Sequence, residues 1–170
     1  VFDEISRLSI NEKELIIKDS DNQIVFSFGE TIFITRKIEG NYPNYEQIIP
    51  SQKALTAIIE TDTLLAAVKR AAILAQSHTP IRLSFSTITQ TIEISSSTQD
   101  VGGANEKISA QIEGEDLEIG FNHQYILDGL VSIQNEELLF EAQTALKPGI
   151  IKSVSDDSFF YLTMPVRLDR

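Results

Sequence analysis

The chain has 170 residues, of which 42% are hydrophobic and 23% are charged, and its formal net charge is −11. This length and composition fit a globular protein with one full domain and part of another. The negative charge argues against electrostatic coating of nucleic acid, which needs many Lys and Arg side chains. It is compatible with a few cations gathered on one surface, or with a charge that only keeps the protein in solution.

The sequence contains no cysteine, which excludes disulfides and thiolate metal sites. No apolar run approaches the roughly 20 residues that span a bilayer, and the opening VFDEISRLSI lacks the basic start and apolar middle of a signal peptide. These features favour the cytoplasm. Because the chain opens without methionine inside a predicted helix, we expect its natural start to lie upstream.

The first forty residues are predicted to form the end of a helix followed by three strands. Residues 1–8 read as helix, and alternation of apolar and polar residues indicates strands at 14–19, 23–28 and 31–38. Short polar turns separate these strands. The stretch 43–52, which contains two prolines, is typical of a linker.

A unit of strand, helix and three strands is predicted twice in the rest of the chain. The first copy has a strand at 53–60, a helix at 62–77 capped by Thr61 or Asp62, and strands at 81–86, 90–96 and 104–113. The second has a strand at 116–120, a helix at 122–134 capped by Asn122, and strands at 136–142, 148–154 and 158–165. This βαβββ repeat predicts an α+β fold with antiparallel sheet and helices on one face. We therefore expect a partial domain at 1–42, a linker at 43–52 and a complete domain at 53–170.

The predicted helix at 62–77 has one apolar face and one mixed face. At 100° per residue the apolar face, expected in the core, consists of Leu64, Leu65, Val68, Ala71, Ala72 and Ala75. Lys69, Arg70 and Ile73 fall on the other side. A single exposed isoleucine is common, and beside Leu74 it is also compatible with a subunit contact.

The predicted helix at 122–134 has a core face made of Ile126, Leu127, Leu130 and Ile133. Tyr125 lies off this face, which fits either a surface residue or the wall of a pocket. Gly129 sits mid-helix at a cost of roughly 1 kcal/mol relative to alanine. Its missing side chain either permits close packing or keeps a groove open.

No arrangement typical of an enzyme is found. The two histidines, His78 and His123, do not form a metal-binding pair at helical spacing. Gly102-Gly103 lacks the Gly-Lys-Ser/Thr continuation of a phosphate-binding loop, and no G-x-S-x-G nucleophile motif occurs. We predict a non-enzymatic protein with no cofactor and no metal site.

Four segments resemble one known family, the bacterial DNA sliding clamp, which is the β subunit of DNA polymerase III. GNYPNYEQIIP at 40–50 resembles the linker between its second and third domains, and YLTMPVRL at 161–168 resembles its C-terminal end. RAAIL at 70–74 and EIGFN at 118–122, followed by Tyr125, are supporting matches. They occur in family order and at family-like spacing, and the βαβββ repeat is that of a clamp domain. The resemblance implies that 1–42 is the C-terminal half of domain 2 and 53–170 is domain 3.

The resemblance also implies functional residues. Clamp-binding proteins insert a short motif, often similar to Gln-Leu-x-Leu-Phe, into an apolar cleft between the second and third domains. The matching cleft positions are Pro43, Tyr45, Ile48, Asn122, Tyr125, Met164, Pro165, Val166, Arg167 and Leu168, with Leu146 and Pro148 by a less certain alignment. Ile73 and Leu74 match the subunit interface of a homodimer, and Lys69 and Arg70 match either that interface or the surface facing DNA.

The family's ring encircles duplex DNA without sequence preference and tethers polymerases, the clamp loader and repair proteins. This chain departs from the pattern at Gln47, where many relatives carry a basic residue, and in Asp169-Arg170, which extend the usual ending. The first domain and most of the second are absent from it. The competing interpretation is a secreted or surface β-rich interaction module, and an acid-dependent hydrolase comes third.

Overall fold

The computed structural model describes residues 1–42, 44–75, 79–98, 102–133 and 135–168, except for the side chain of Thr98. The chain divides into two compact units, Val1–Pro43 and Asn44–Arg170. Each unit has its own cluster of buried apolar residues. Within the described ranges, none of the helices is both long enough and apolar enough to cross a membrane.

The first unit is a helix followed by a three-stranded antiparallel sheet in the order β1-β2-β3. Its elements are α1 (Phe2–Leu8), β1 (Ile16–Asp19), β2 (Gln23–Phe28) and β3 (Thr31–Arg36). They lie where the sequence predicts them, although β1 and β3 are shorter than predicted. The small core consists of Ile5, Phe26 and Phe28, with Ile24 and Phe33 packed against it.

The described residues of the second unit form two α-helices and nine strands, and a short 3-10 helix at Tyr45–Gln47 comes before them within the unit. Its first half comprises β4 (Leu55–Glu60), α2 (Thr61–Leu74), β5 (Ile81–Ser86), β6 (Thr91–Thr98), β7 (Gly102–Ser109) and β8 (Gln111–Gly114). Its second half comprises β9 (Leu117–Phe121), α3 (His123–Ser132), β10 (Glu137–Ala142), β11 (Gly149–Ser153) and β12 (Phe160–Thr163). The predicted α+β class with antiparallel sheets is confirmed.

The two halves of this unit exchange their first strands. One sheet has the order β12-β11-β10-β4-β8 and the other the order β7-β6-β5-β9. Strand β4 of the first half thus pairs with β10 of the second, and β9 of the second pairs with β5 of the first. Helices α2 and α3 pack against each other, and a single apolar core spans both halves.

The strand predicted at 104–113 is wrong in one respect, because the structure divides it into β7 and β8. Strand β7 pairs with β6, whereas β8 pairs with β4 in the other sheet. The side chain of Gln90 binds the backbone of Ile112 just after the bend between β7 and β8. Its side-chain amide donates to the carbonyl of Ile112 and accepts from the backbone N–H of Ile112, both at 2.8 Å, so that it substitutes for a neighbouring strand.

The cap predicted for the first long helix is also wrong. Strand β4 runs directly into α2, with Glu60 as the N-cap residue, and no side chain caps the helix. Thr61 is buried within α2, and its backbone N–H donates to the carbonyl of Glu136 at 2.8 Å. The helix ends at Leu74 rather than at residue 77, and Gln76 and Ser77 lie outside the described residues.

The predicted core faces agree with the observed burial. Leu64, Val68 and Ala71 of α2 and Ile126 and Leu130 of α3 are buried. Ala67, which the periodicity does not single out, is buried as well. Asn122 caps α3 as predicted, because its side-chain Oδ1 accepts from the backbone N–H of Gln124 at 2.9 Å. This helix ends at Ser132, and Gln134, its predicted last residue, lies outside the described residues.

Candidate functional site

The residues that follow β12 lie against β9. The backbone N–H of Val166 donates to the carbonyl of Gly120 at 2.8 Å. A β-carbon at position 120 would lie 2.5 Å from Cδ2 of Leu168 and 3.0 Å from the carbonyl oxygen of Val166. A side chain at position 120 would force Leu168 or the backbone of Val166 to shift, so glycine favours this approach. This gives the EIGFN segment a structural role that the sequence did not reveal.

Two cavities flank these tail residues. One, of about 360 Å³, is lined by Arg82, Glu118, Gly120, Ala145, Leu146, Val166, Arg167 and Leu168. The other, of about 500 Å³, is lined by Thr79, Pro80, Arg82, Ser95, Ser96, Ser97, Val166, Arg167 and Leu168. The structure therefore brings together four of the predicted cleft residues, Leu146, Val166, Arg167 and Leu168.

Tyr125 lies beside strand β12. Its side chain is 55% exposed, whereas Tyr161 of β12 packs directly over the helix at Gly129. A β-carbon at position 129 would lie 2.5 Å from Cδ1 of Tyr161, so the glycine serves close packing and does not hold a groove open. Burial raises the pKa of Tyr161, and the nearby Asp128 and Tyr125 raise it further. Tyr125, Asp128 and Tyr161 thus form one cluster on this side of α3.

The linker residues form a separate hydrogen-bonded turn. The backbone N–H groups of Ile48 and Ile49 both donate to the carbonyl of Tyr45, at 2.9 and 3.3 Å. Tyr45 and Ile48 are exposed, and Pro43 lies outside the described residues.

The remaining cleft positions differ in exposure. Met164 is 55% exposed, Pro165 is half-buried and Pro148 is buried. Tyr45, Ile48, Tyr125 and Met164 do not line the two tail cavities. The convergence of all these residues on a single groove stays a prediction.

Ile73 and Leu74 of α2 differ in burial. Ile73 is 81% exposed, opposite the core-facing side of the helix, and Leu74 is half-buried. An isoleucine this exposed contributes little to the core of its own chain, and its role in a subunit contact stays a prediction.

Lys69 and Arg70 have different surroundings. The guanidinium group of Arg70 donates through Nε and Nη2 to both carboxylate oxygens of Glu106 on β7, with the Nε–Oε2 distance at 2.8 Å. The hydrogen bonds from Arg70 hold the pKa of Glu106 below its ordinary value. Lys69 is exposed and makes no ion pair within the part of the chain that the structure describes. The two adjacent cations are therefore not equivalent.

A partly buried ion-pair network, centred on the buried carboxylate of Glu141, was missed by the sequence analysis. Glu141 on β10 is 4% exposed, and its carboxylate lies 2.6 Å from Nζ of Lys53 and 3.7 Å from Nζ of Lys152. The alternation of β10 assigns Glu141 to the outer face, where acids are usually solvated. The residues around Glu141 do not indicate that the segment before β4 covers its side chain. Among the described side chains, no group of three His, Asp or Glu residues is placed to hold a metal ion.

The sequence model of the family described as "DNA polymerase III beta subunit, C-terminal domain" matches residues 46–167. The beta sliding clamp of Staphylococcus aureus is 33% identical over 161 residues, which are 94% of this chain and 43% of that protein. This chain therefore spans less than half the length of that relative.

Solved structures agree with the family match. The DNA polymerase sliding clamp of Bacillus subtilis superimposes with a TM-score of 0.88 at 32% identity, over 98% of this chain and 45% of that chain. A sliding clamp of Bartonella birtlesii bound to griselimycin gives a TM-score of 0.86 at 26% identity, over 96% of this chain and 44% of that chain. Because the family match covers most of the sequence and the fold agrees along nearly all of it, this chain belongs to the family of the DNA polymerase III beta subunit, C-terminal domain.

Proposed function

We propose that this chain is the C-terminal part of a sliding clamp subunit, a non-catalytic processivity factor of DNA replication. In the complete protein, two subunits would form a ring that encircles duplex DNA and tethers polymerases to it. The observation that carries this proposal is the agreement with the Bacillus subtilis clamp, at a TM-score of 0.88 over 98% of the chain. The proposed location is the cytoplasm, where replication takes place in bacteria.

The partners of the proposed ring are duplex DNA and the proteins that dock on it, among them polymerases, the clamp loader and repair proteins. Docking would use a cleft formed by the linker turn, α3, the β10–β11 loop and the tail. Its proposed residues are Pro43, Tyr45, Ile48, Asn122, Tyr125, Leu146, Pro148, Met164, Pro165, Val166, Arg167 and Leu168. The exposed apolar side chains of Tyr125, Leu146 and Met164 support this assignment. A partner that buried them would gain about 25 cal/mol of binding free energy per Å² of apolar surface removed from water.

The proposed subunit contact is centred on Ile73 and Leu74, and the proposed contact with the DNA backbone is made by Lys69. The exposure of Ile73 supports the first assignment. The absence of an ion pair on Lys69 within the described residues supports the second. A cation that is free to exchange its counterions for phosphates contributes more to DNA binding than one already held by a carboxylate.

Retention on circular DNA tests the proposed function. A complete protein containing this chain, loaded onto nicked circles, is expected to stay bound and to slide off after the circle is linearised. The 170-residue chain alone is expected not to stay, because it spans less than half the length of the relatives that form clamps. Equal loss of the complete protein from circular and linear DNA would contradict the proposal.

The competing interpretation, a secreted or surface β-rich module, finds no support in the comparisons. The relatives are named sliding clamps, and the agreement in fold extends over nearly the whole chain. The hydrolase interpretation finds no support either, since the matching family is described as the DNA polymerase III beta subunit and the relatives are named sliding clamps.

A further inference from the structure

The residues between the 3-10 turn and β4 cover the outer face of strands β10 and β11. In β10, Leu138 and Phe140 point into the core, and Glu141 between Phe140 and Ala142 points to the opposite face. Ile150 of β11 is the register partner of Glu141. It is 7% exposed, although the core cluster contains only its neighbour Ile151. Something on the outer face therefore buries both Glu141 and Ile150.

That cover is supplied by residues 49–53. Ile49 borders one small cavity together with Glu141 and Ile150, and Pro50, Gln52 and Lys53 border another with the same two residues. The backbone N–H of Ala54 donates to the carbonyl of Ala142 at 3.0 Å, which continues the pairing of β4 with β10. The segment therefore has both apolar and backbone contacts with the sheet.

A buried carboxylate fastens this cover. Nζ of Lys53 lies 2.6 Å from Oε1 of Glu141, and Nζ of Lys152 lies 3.7 Å from the same oxygen. Lys152 is also 3.0 Å from Oδ1 of Asp157, so Lys53 is the closer and less shared cation. A buried charge that loses its partner is strongly unfavourable, and Glu141 therefore favours the arrangement in which Lys53 remains in place. We call Lys53, Glu141 and Lys152 the linker anchor.

The linker anchor is continuous with two of the proposed cleft residues. Ile49 lies on the covered face, and its backbone N–H donates to the carbonyl of Tyr45 at 3.3 Å. Ile48 donates to the same carbonyl at 2.9 Å. Fixing residues 49–53 on the sheet therefore also limits where the Tyr45 and Ile48 side chains stand.

We propose that Glu141 is a positioning residue for partner binding, which holds the linker through Lys53 and thereby places Tyr45 and Ile48 for a docking peptide. This inference rests on the proposed function, because it takes the linker turn to be part of the peptide cleft. The benefit is preorganisation: a cleft wall that is already ordered does not have to be ordered when the peptide binds.

Trypsin digestion tests the anchor independently of any partner. In Glu141→Gln, the bond after Lys53 is expected to be cleaved about tenfold faster than in the wild type, because the segment opens more often. Cleavage after Lys13, followed by mass spectrometry in the same digest, provides the internal reference. The matched control is Glu93→Gln, which removes an acid paired with Lys107 on β6 and β7, away from the linker. Unchanged cleavage after Lys53 in Glu141→Gln would overturn the anchor.

Peptide binding tests the positioning role. A fluorescein-labelled Gln-Leu-Ser-Leu-Phe peptide is expected to bind Glu141→Gln and Lys53→Met about three- to tenfold more weakly than the wild type, and Glu93→Gln equally well. In Lys53→Met, Lys152 remains beside the carboxylate of Glu141, so the buried charge keeps one partner and the fold is expected to persist. Circular dichroism checks that each variant is folded. Faster cleavage with unchanged peptide affinity would overturn the positioning role. If the wild type does not bind the peptide at all, the cleft assignment fails, and the trypsin comparison alone decides whether the anchor exists.

Discussion

Gly129 of α3 and Tyr161 of β12 approach so closely that the ring occupies the space of a side chain. A β-carbon at position 129 would lie 2.5 Å from Cδ1 and 2.8 Å from Cε1 of Tyr161. Glycine has a poor helix propensity, but a larger residue at this position of α3 would prevent the contact with Tyr161. The contact joins the helix that carries Tyr125 to the strand that leads into Met164, so that it connects two parts of the proposed cleft.

Gly129→Ala is expected to destabilise the chain by about 1–3 kcal/mol, although alanine alone would favour the helix by roughly 1 kcal/mol. Urea unfolding measures the change. The double variant Gly129→Ala/Tyr161→Leu is expected to be less affected than the sum of its single changes, because the smaller side chain relieves the clash. Stabilisation by Gly129→Ala alone would contradict this packing.

Gly120→Ala is expected to release the tail from β9. The added methyl group would meet Leu168 at 2.5 Å and the Val166 carbonyl at 3.0 Å. Hydrogen exchange of the Val166 amide, which is bonded to Gly120, is therefore expected to accelerate, while amides in β10 stay protected. Leu168→Ala is expected to restore only part of the protection in Gly120→Ala, because the Val166 carbonyl remains in the way. An unchanged exchange rate at Val166 would show that the tail is held by other contacts.

Met164→Ala and Tyr125→Ala are each expected to weaken binding of a Leu-Phe-containing peptide by about 1 kcal/mol or more, which is the usual effect of truncating an apolar contact in a docking site. Fluorescence anisotropy on the 170-residue chain measures the affinity. Val131→Ala, an exposed apolar position on α3 outside the proposed cleft, is the control. Equal affinity in both cleft variants and the wild type would remove the cleft assignment.

Lys69→Ala and Arg70→Ala are expected to act differently in the complete ring. Loss of a phosphate contact lowers the slope of log affinity against log salt by about one unit per contact, and we expect this for Lys69. Arg70→Ala is expected to leave the slope nearly unchanged, because its guanidinium group is already bound to Glu106. Glu106→Gln would free Arg70 and is expected to steepen the slope. A larger effect from Arg70 than from Lys69 would reverse the assignment.

Acid is expected to weaken the surface ion pairs of β6, β7 and α2. The pKa of Glu106 is lowered mainly by hydrogen bonds from Arg70, and the pKa of Glu93 mainly by a hydrogen bond from Asn105 and then by Lys107. A carboxylate with a lowered folded pKa stabilises the fold above its ordinary value of 4.5, and this contribution is lost as the pH falls through the lower folded value.

The measurement is urea unfolding from about pH 7 to about pH 3. The difference in unfolding free energy between the wild type and Glu106→Gln is expected to be constant at neutral pH and to shrink in acid. Glu113→Gln, which removes an exposed acid on β8 away from this ion pair, is the control for the general effect of losing one negative charge. A difference that grows on acidification would contradict the assigned direction.

Local patterns predicted most elements of the fold, because alternation and helical periodicity are set by burial along a single segment. The strand at 81–86 has the predicted bounds, and the buried positions of α2 and α3 follow their periodicity. The division of 104–113 escaped prediction, since the interruption depends on Gln90, a residue distant in sequence that bonds to Ile112. The same holds for Glu141, whose burial depends on the chain that comes before β4.

The candidate site was predicted by resemblance more than by physics. Tyr125 and Ile73 were identified from the helical pattern because apolar or aromatic side chains off the core face stand out. The close approaches at Gly120 and Gly129 were not predicted, since the sequence does not show which side chain packs against a glycine. Tail residues such as Val166 have no periodicity, and a backbone bridge to Gly120 places them against β9.

The exchange of strands β4 and β9 between the two sheets means that neither half of the second unit is a separable folding module. A polypeptide cut between Gly114 and Leu117 would leave the N-terminal fragment without β9 and the C-terminal fragment without β4 and β8, each with an uncovered apolar surface. We therefore expect the fragments to assemble only when mixed. Unfolding of the intact unit should accordingly be a single cooperative transition, and its folding should be slow, because both exchanged strands must find partners far away along the chain.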